Sequence, residues 1–299
     1  MIKKKIVKNF IIPEIVEAIG LNKEVWATIS DELIEFMIEN YTNEAGVRSI
    51  KRHIEEIFLT LNLDKIYQRG EINNNFKEIT KEIIIKILRN PKNEITKIHD
   101  KNIVGVINGL YATSSEGGII PIQIFNNFIS NSSSYEIKLT GNQGNVMKES
   151  VYCSLTTALN YIKNNLYKYP EIKNFDEYLS LNFKYGFHIH APSTSTPKDG
   201  PSAGSAFTIA FISRILNKPI KNNIALTGEI ELTGKITKIG GLNFKLFGAK
   251  KAGVKLIYVP KENENDIIEL INKNPELIDN DFNVKYFDYI DDIIDDIMT

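Results

Sequence analysis

The stretch APSTSTPKDGPSAGSAFTIAF, residues 191–211, decides how the rest of the chain is read. Pro197, Gly200 and Pro201 force a tight approach, and the small residues Ser202, Ala203, Gly204, Ser205 and Ala206 then open an apolar run. Punctuation by proline and glycine ahead of small residues marks a helix start in a closely packed setting. Ser202 thus falls at or near a helix N-terminus, where free backbone N–H groups and the helix dipole favour developing negative charge. The oxyanion of a tetrahedral acyl intermediate needs such an environment. On this segment alone, a capping serine before a closely packed helix is the simpler reading.

A second stretch changes the balance. In GGLNFKLFGAKKAGVK, residues 240–255, Leu242, Lys245, Leu246 and Ala249 recur at helical spacing and share one face. Lys245 then sits on the apolar side, whereas Lys250 and Lys251 fall nearer to solvent. Burial disfavours the ammonium form and lowers a lysine's pKa, which a general-base lysine requires. An isolated lysine would instead snorkel to the surface. Together, a serine at a helix start and an inward-facing lysine can supply a nucleophile and its base.

Working outward, the pattern from Ile103 onward is mixed. IVGVIN (103–108), IIPIQIF (119–125), YEIKLTG (135–141) and FHIH (187–190) read as short or alternating strands. Helices are expected over Val146–Ile162, from near Ser202, and over Leu242–Lys251, with strands over Ile224–Leu232 and Val254–Val259. The polar interval from Asn164 to Phe183 carries no assignable period. Residues up to about 90 read as helical instead. Leu33, Phe36, Met37 and Tyr41 follow a cap expected at Thr28, with Asp31 three residues on. After a break at Gly46 come Val47, Ile50, Ile54, Ile57, Phe58 and Leu61, and a third run spans Ile79 to Leu88. That run stops at Asn90-Pro91, because the residue before proline disfavours helix. The organisation predicted is α+β, with a helical subdomain over 1–92, a linker over 93–102 and an α+β domain over 103–299.

Composition excludes several function classes. Hydrophobic residues make up 42% and charged residues 24% of the 299, and the formal net charge is −1. That balance offers no bulk attraction to nucleic acid or an anionic membrane. The single cysteine, Cys153, precludes an intramolecular disulfide and sits in an apolar helical pattern, which reads as packing. The basic opening is interrupted by Lys8, Pro13 and Glu14, against a secretory signal. The longest apolar run, Ala203–Ile212, is too short to span a bilayer. The chain reads as soluble and intracellular. Four histidines and one cysteine without a ligand cluster speak against a zinc site. His188 and His190 are expected to face opposite ways on their strand, and no histidine is needed as a base.

At these residues the chain resembles the Lon protease family. PKDGPSAG (197–204) is similar to that family's active-site signature, with the nucleophile at Ser202. TGEIELTGKITKIGGLNFK (227–245) is similar to the segment that follows it, with the catalytic lysine at Lys245, 43 residues on. YTNEAGVRSIKRHIEEI (41–57) resembles the helical lid of the family's AAA+ ATPase module, and Arg48 falls at its nucleotide-sensing arginine. The resemblance implies a serine endopeptidase with a Ser202–Lys245 dyad, acting on unfolded or damaged proteins and assembled as a homo-hexamer. It also implies a cytoplasmic location, or the mitochondrial matrix in an organelle system. Thr227 would orient Lys245; Asp199 and Gly200 would shape the oxyanion region; Glu229 and His190 would organise the surroundings.

Two departures stand out. No phosphate loop is present: GEIELTGKI (228–236) has five residues between its glycines and Ile236 where Ser or Thr should bind magnesium. Hence no cofactor is expected on this chain, ATP and magnesium belonging to the full-length family form. The chain has the look of a fragment or truncated form of that longer protein. The groove segment GLYATSSEGG (109–118) carries an extra residue and lacks the tryptophan usual there. Three rival readings remain. One is a small-molecule kinase with a Gly/Ser-rich turn, although closely spaced glycines are missing. Another is a catalytically silent Lon-like scaffold, although Ser and Lys are both retained. The third is a closed site in which Asp199 or its loop blocks Ser202.

Overall fold

The computed structural model describes residues 2–20, 29–42, 44, 46–67, 79–89, 96–114, 116–128, 135–192 and 197–299, and the chain divides into two compact units, Met1–Glu94 and Ile95–Thr299. In the first unit, helix α1 (Ile2–Ile6) passes through a π-helical turn, Val7–Ile11, into α2 (Ile12–Ile19). Pro13 accounts for the widened turn, because its ring would clash with the carbonyl four residues back in a regular helix. Helix α3 (Asp31–Tyr41) is capped by Ser30, whose hydroxyl accepts the Leu33 N–H at 3.3 Å. The cap expected at Thr28 lies outside the described residues, as does the Asn90-Pro91 stop. Helices α4 (Arg48–Tyr67) and α5 (Lys81–Leu88) follow, the latter capped by the Thr80 hydroxyl. Their apolar faces close one core containing Ile12, Ile34, Met37, Ile54, Phe58 and Ile84. Burial of each such side chain stabilises by roughly 1.5–3 kcal/mol.

The second unit is built on a mixed seven-stranded sheet. Residues 96–102 belong to it: the Ile98 N–H reaches the Ala252 carbonyl (3.2 Å), and Asn222 bonds to His99 and Asn102. Strands β1 (Ile103–Val104), β2 (Val106–Ala112), β3 (Gly117–Asn126) and β4 (Glu136–Thr140) come first. Helices α6 (Asn145–Asn164) and α7 (Phe175–Asn182) then lead to β5 (Gly186–His190) and α8 (Gly204–Leu216). The chain continues through β6 (Pro219–Ile220), β7 (Ile224–Leu226), β8 (Glu229–Ile230), β9 (Ile236–Thr237) and α9 (Leu242–Ala252). Strand β10 (Leu256–Pro260), α10 (Glu264–Lys273), β11 (Asn283–Phe287) and α11 (Ile294–Ile297) complete it. The sheet order is β11-β10-β7-β2-β3-β5-β4, with β10, β11, β7 and β2 mutually parallel and β2–β3–β5 antiparallel.

Strand alternation sorts side chains onto two covered faces. One face carries Ile107, Ile122, Ile124, Phe187, Ile189 and Leu226 under α6 and α8. The other carries Leu110, Ile119, Ala225, Ile257 and Val259 under α9 and α10. The helix with Ser202 at its approach and the helix with Lys245 thus cover opposite faces.

One local reading is corrected, and two other segments acquire a definite structure. The strand expected over Ile224–Leu232 leaves the main sheet after Leu226, and Glu229–Ile230 pairs instead with Ile236–Thr237. Gly228 makes the departure: a Cβ there would lie 2.5 Å from Ile236 Cγ2. The near-match to a phosphate loop is therefore a β-hairpin. The unassigned interval holds a 3₁₀ turn, Leu166–Lys168, and α7, whose cap Asn174 accepts the N–H groups of Asp176 and Glu177. Among the described residues no helix is long and apolar enough to cross a membrane.

Candidate active site

Helix α8 begins two residues later than its sequence suggests, at Gly204. The Ser202 carbonyl is already occupied, accepting the Gly228 N–H (2.8 Å) and the Thr227 hydroxyl (3.1 Å). The first helical acceptor is consequently the Ala203 carbonyl, bonded by the Phe207 N–H at 2.9 Å. Ser202 is left in the turn just ahead of the helix, its backbone clamped to the segment leaving β7.

Lys245 arrives from the other face of the sheet. It is 3% exposed, buried together with Leu242, Leu246 and Ala249 as the spacing requires. Its Nζ lies 3.0 Å from Ser202 Oγ and 3.0 Å from Thr227 Oγ1. Thr227 is fully buried and spends its own proton on the Ser202 carbonyl, so its Oγ1 lone pairs are left to accept from the lysine. Burial alone brings the lysine down to about 8. On that value roughly a tenth of the lysine is neutral at pH 7. Ser202 and Lys245 therefore meet just beyond the C-terminal end of β7, the usual place for a site between parallel strands and their crossover helices.

The loop that delivers Ser202 is stitched to the start of α6. Gly144 N–H donates to the Lys198 carbonyl (2.7 Å), Lys198 N–H to the Asn142 carbonyl (3.1 Å), and Lys198 Nζ to the Gly141 carbonyl (3.1 Å). Asp199 accepts the N–H groups of Met147 and Gly200, each at 2.9 Å, and so caps α6 from outside its own sequence. Those backbone donors hold its carboxyl below the usual carboxylate range. Gly200 has φ +114°, a conformation open in practice only to glycine. Asp199 is thus turned to the helix, and Lys245 bonds to Ser202.

The other residues singled out take no part in the hydrogen bonds that join Ser202, Thr227 and Lys245. His188 Nε2 and His190 Nδ1 both meet the Thr140 hydroxyl, at 2.9 and 2.7 Å. The expectation that they face opposite ways is wrong, because residues two apart on a strand share a face. Burial is the main reason His188 titrates below its ordinary value. Glu229 is exposed at the start of β8, two residues past Thr227, and Arg48 is exposed at the start of α4 in the first unit. Cys153 is half-buried on α6, donating to the Ile230 carbonyl (3.3 Å), and its thiol is pushed up by burial. Among the described residues no three His, Cys, Asp or Glu side chains are grouped to hold a metal ion.

Several supporting residues escape sequence reading. Ser154 Oγ donates to the Gly204 carbonyl (2.9 Å) and Ser150 Oγ to the Pro201 carbonyl (3.4 Å), tying α6 to the approach of α8. Their signal is legible in retrospect as Ser150, Ser154 and Ala158 at four-residue spacing, a face of small side chains that lets two helices close. Gly144 is required because a Cβ there would lie 2.3 Å from the Asp199 carboxyl carbon.

Both units of the chain resemble parts of known proteins. Residues 78–299 match the model of the Lon protease (S16) C-terminal proteolytic domain, and residues 17–61 that of the Lon protease AAA+ ATPase lid domain. A Lon protease homolog of Acanthamoeba polyphaga mimivirus is 40% identical, the match covering 99% of this chain and 33% of the relative. The Lon protease of Flavobacterium johnsoniae is 38% identical over 90% of this chain and 30% of its own length. That of Buchnera aphidicola is 36% identical over 90% and 32%. The chain spans about a third of the length of these relatives.

Proposed function

The chain belongs to the Lon protease family, and from that premise we propose that it is a serine endopeptidase in which Ser202 is the nucleophile and Lys245 its general base. The observation that carries the reading is the 3.0 Å hydrogen bond between a buried lysine and a serine hydroxyl at a helix approach. Neutral Lys245 takes the Ser202 proton as Oγ attacks the scissile carbonyl carbon. The ammonium so formed gives that proton to the departing amine as the C–N bond breaks, leaving an ester on Ser202. Water, deprotonated by the same lysine, then hydrolyses the ester. Backbone N–H groups beside Ser202 stabilise the oxyanion, Gly200 shapes the turn that presents them while its own N–H is held by Asp199, and Thr227 keeps Lys245 aimed at Ser202.

In this reading Glu229 and His190 organise the surroundings of the dyad. Substrates are peptides and unfolded or damaged proteins. The homo-hexamer, and ATP with magnesium, enter through the nucleotide-binding core of the full-length family form, where Arg48 touches nucleotide phosphates. A silent scaffold fits less well, because such a role would not need a desolvated lysine held against a serine. The test is cleavage of a quenched fluorescent peptide by the 299-residue chain. Ser202→Ala and Lys245→Ala each abolish turnover with an unchanged circular dichroism spectrum, whereas turnover by a folded Ser202→Ala protein sinks the assignment.

A further inference from the structure

At Gly248 and Gly117, helix α9 and strand β3 meet backbone to backbone. A Cβ on Gly248 would stand 2.1 Å from the Gly117 carbonyl oxygen and 2.2 Å from its carbonyl carbon. A Cβ on Gly117 would stand 2.3 Å from the Phe244 carbonyl oxygen, and one on Gly241 would stand 2.7 Å from Ala112 Cβ. Every one of these distances is well inside van der Waals contact, so the helix is as close to the strand as backbone atoms permit. Glycine inside a strand commonly marks such a close approach, and a glycine at a helix–strand contact sets packing depth.

The seam brackets Lys245. Phe244 precedes it, Gly248 is one turn later, and Gly241 carries the carbonyl that accepts the Lys245 N–H at 3.0 Å. We propose that Gly117 and Gly248 are positioning residues for the dyad: by letting α9 touch the hairpin backbone, they set the depth from which Lys245 Nζ reaches Ser202 and Thr227. An alanine at either place forces helix and strand apart by about 1 Å, since carbon needs roughly 3.5 Å of separation. Both 3.0 Å bonds of Nζ then stretch toward or past the hydrogen-bond limit. The proposal rests on the dyad reading, and its test separates the two.

The experiment compares the parent with Gly117→Ala, Gly248→Ala and a control, Ile267→Ala, which empties a fully buried site on α10 in the same core. Peptide-cleavage kinetics are measured together with the titration of Lys245, followed by NMR of ¹³Cε-lysine and assigned with Lys245→Ala. The glycine variants are expected to lose about 100-fold in kcat, the scale of a 1 Å misplacement, with KM within about twofold. Their Lys245 midpoint moves up from about 8 toward that of an ordinary lysine, as the ammonium regains water. Ile267→Ala lowers Tm but leaves kcat and the midpoint in place. Should the glycine variants not fold, Ala112→Val crowds the same seam at Gly241 and produces the same pair of changes more weakly. Folded glycine variants with the parent's kcat and midpoint overturn the proposal, as does an equal shift in Ile267→Ala. A parent pH–rate profile that ignores the Lys245 titration refutes the dyad reading instead, and the seam is then judged on the NMR midpoint alone.

Discussion

Replacing Lys245 by methionine makes the protein more stable at neutral pH while removing its proposed base. The magnitude follows from burial: the lysine titrates at about 8 in the fold against 10.5 for an ordinary lysine. That gap corresponds to about 3 kcal/mol of destabilisation carried by the charged form. Below pH 8 both folded and unfolded chains hold the proton, and the folded state bears the whole desolvation cost. Between about 8 and 10.5 only the unfolded chain holds it, so the parent's stability climbs with pH across that window. Methionine fills a similar volume and has no charge to desolvate. Its advantage is partly offset by the lost bonds to Ser202 and Thr227, worth about 1 kcal/mol each net. The offset hardly depends on pH, so the difference between the two proteins isolates the charge. Urea unfolding of both, from pH 7 to pH 10, should show the methionine variant's advantage shrinking by about 2–3 kcal/mol as pH rises. A difference constant to within about 0.5 kcal/mol would mean that Lys245 titrates like an exposed lysine, and the argument for it as a base would fail.

Two further substitutions test the parts around the dyad. Thr227→Val removes the hydroxyl that accepts from Lys245 and donates to the Ser202 carbonyl. The ammonium loses more than the neutral amine, so the acid limb of the pH–rate profile should move to lower pH while kcat falls about 10- to 100-fold. Unchanged kcat would remove Thr227 from the machinery. Asp199→Ala should free the Ser202 loop from the start of α6, seen as faster hydrogen exchange at the Met147 and Gly200 amides and lower kcat. In the parent the same release should occur only as pH falls below the ordinary carboxylate range, because its folded pKa is depressed. Amides that exchange no faster in the variant would show that Asp199 does not hold the loop.

Local periodicity made much of this legible. Lys245 could be placed inward because Leu242, Leu246 and Ala249 share its face, and all four are buried. Ser202 could be placed near a helix start because proline, glycine and small residues cluster there. What escaped was non-local. Asp199 caps a helix that begins 54 residues earlier in the chain, and its N–H partner Met147 is 52 residues away. Nothing in PKDG announces that partner. The run from Ile224 to Leu232 looks like one strand because its break is made by close packing of Gly228 on Ile236, a contact formed only in the fold. The cap at Ser30 could not be chosen over Thr28 by pattern alone, since both are good capping residues. The histidine parity, by contrast, needed no structure: a period of two puts His188 and His190 on one face.

The dyad itself is tested most directly by trapping its covalent intermediate. The chain is incubated with an activated peptide ester at mildly acidic pH, where deacylation is slow, and the adduct is located by peptide mass spectrometry. The account predicts one acyl group on Ser202 in the parent, and none at that residue in Lys245→Ala over the same time. An acyl group on a different residue, or equal labelling of Ser202 without the lysine, would contradict it.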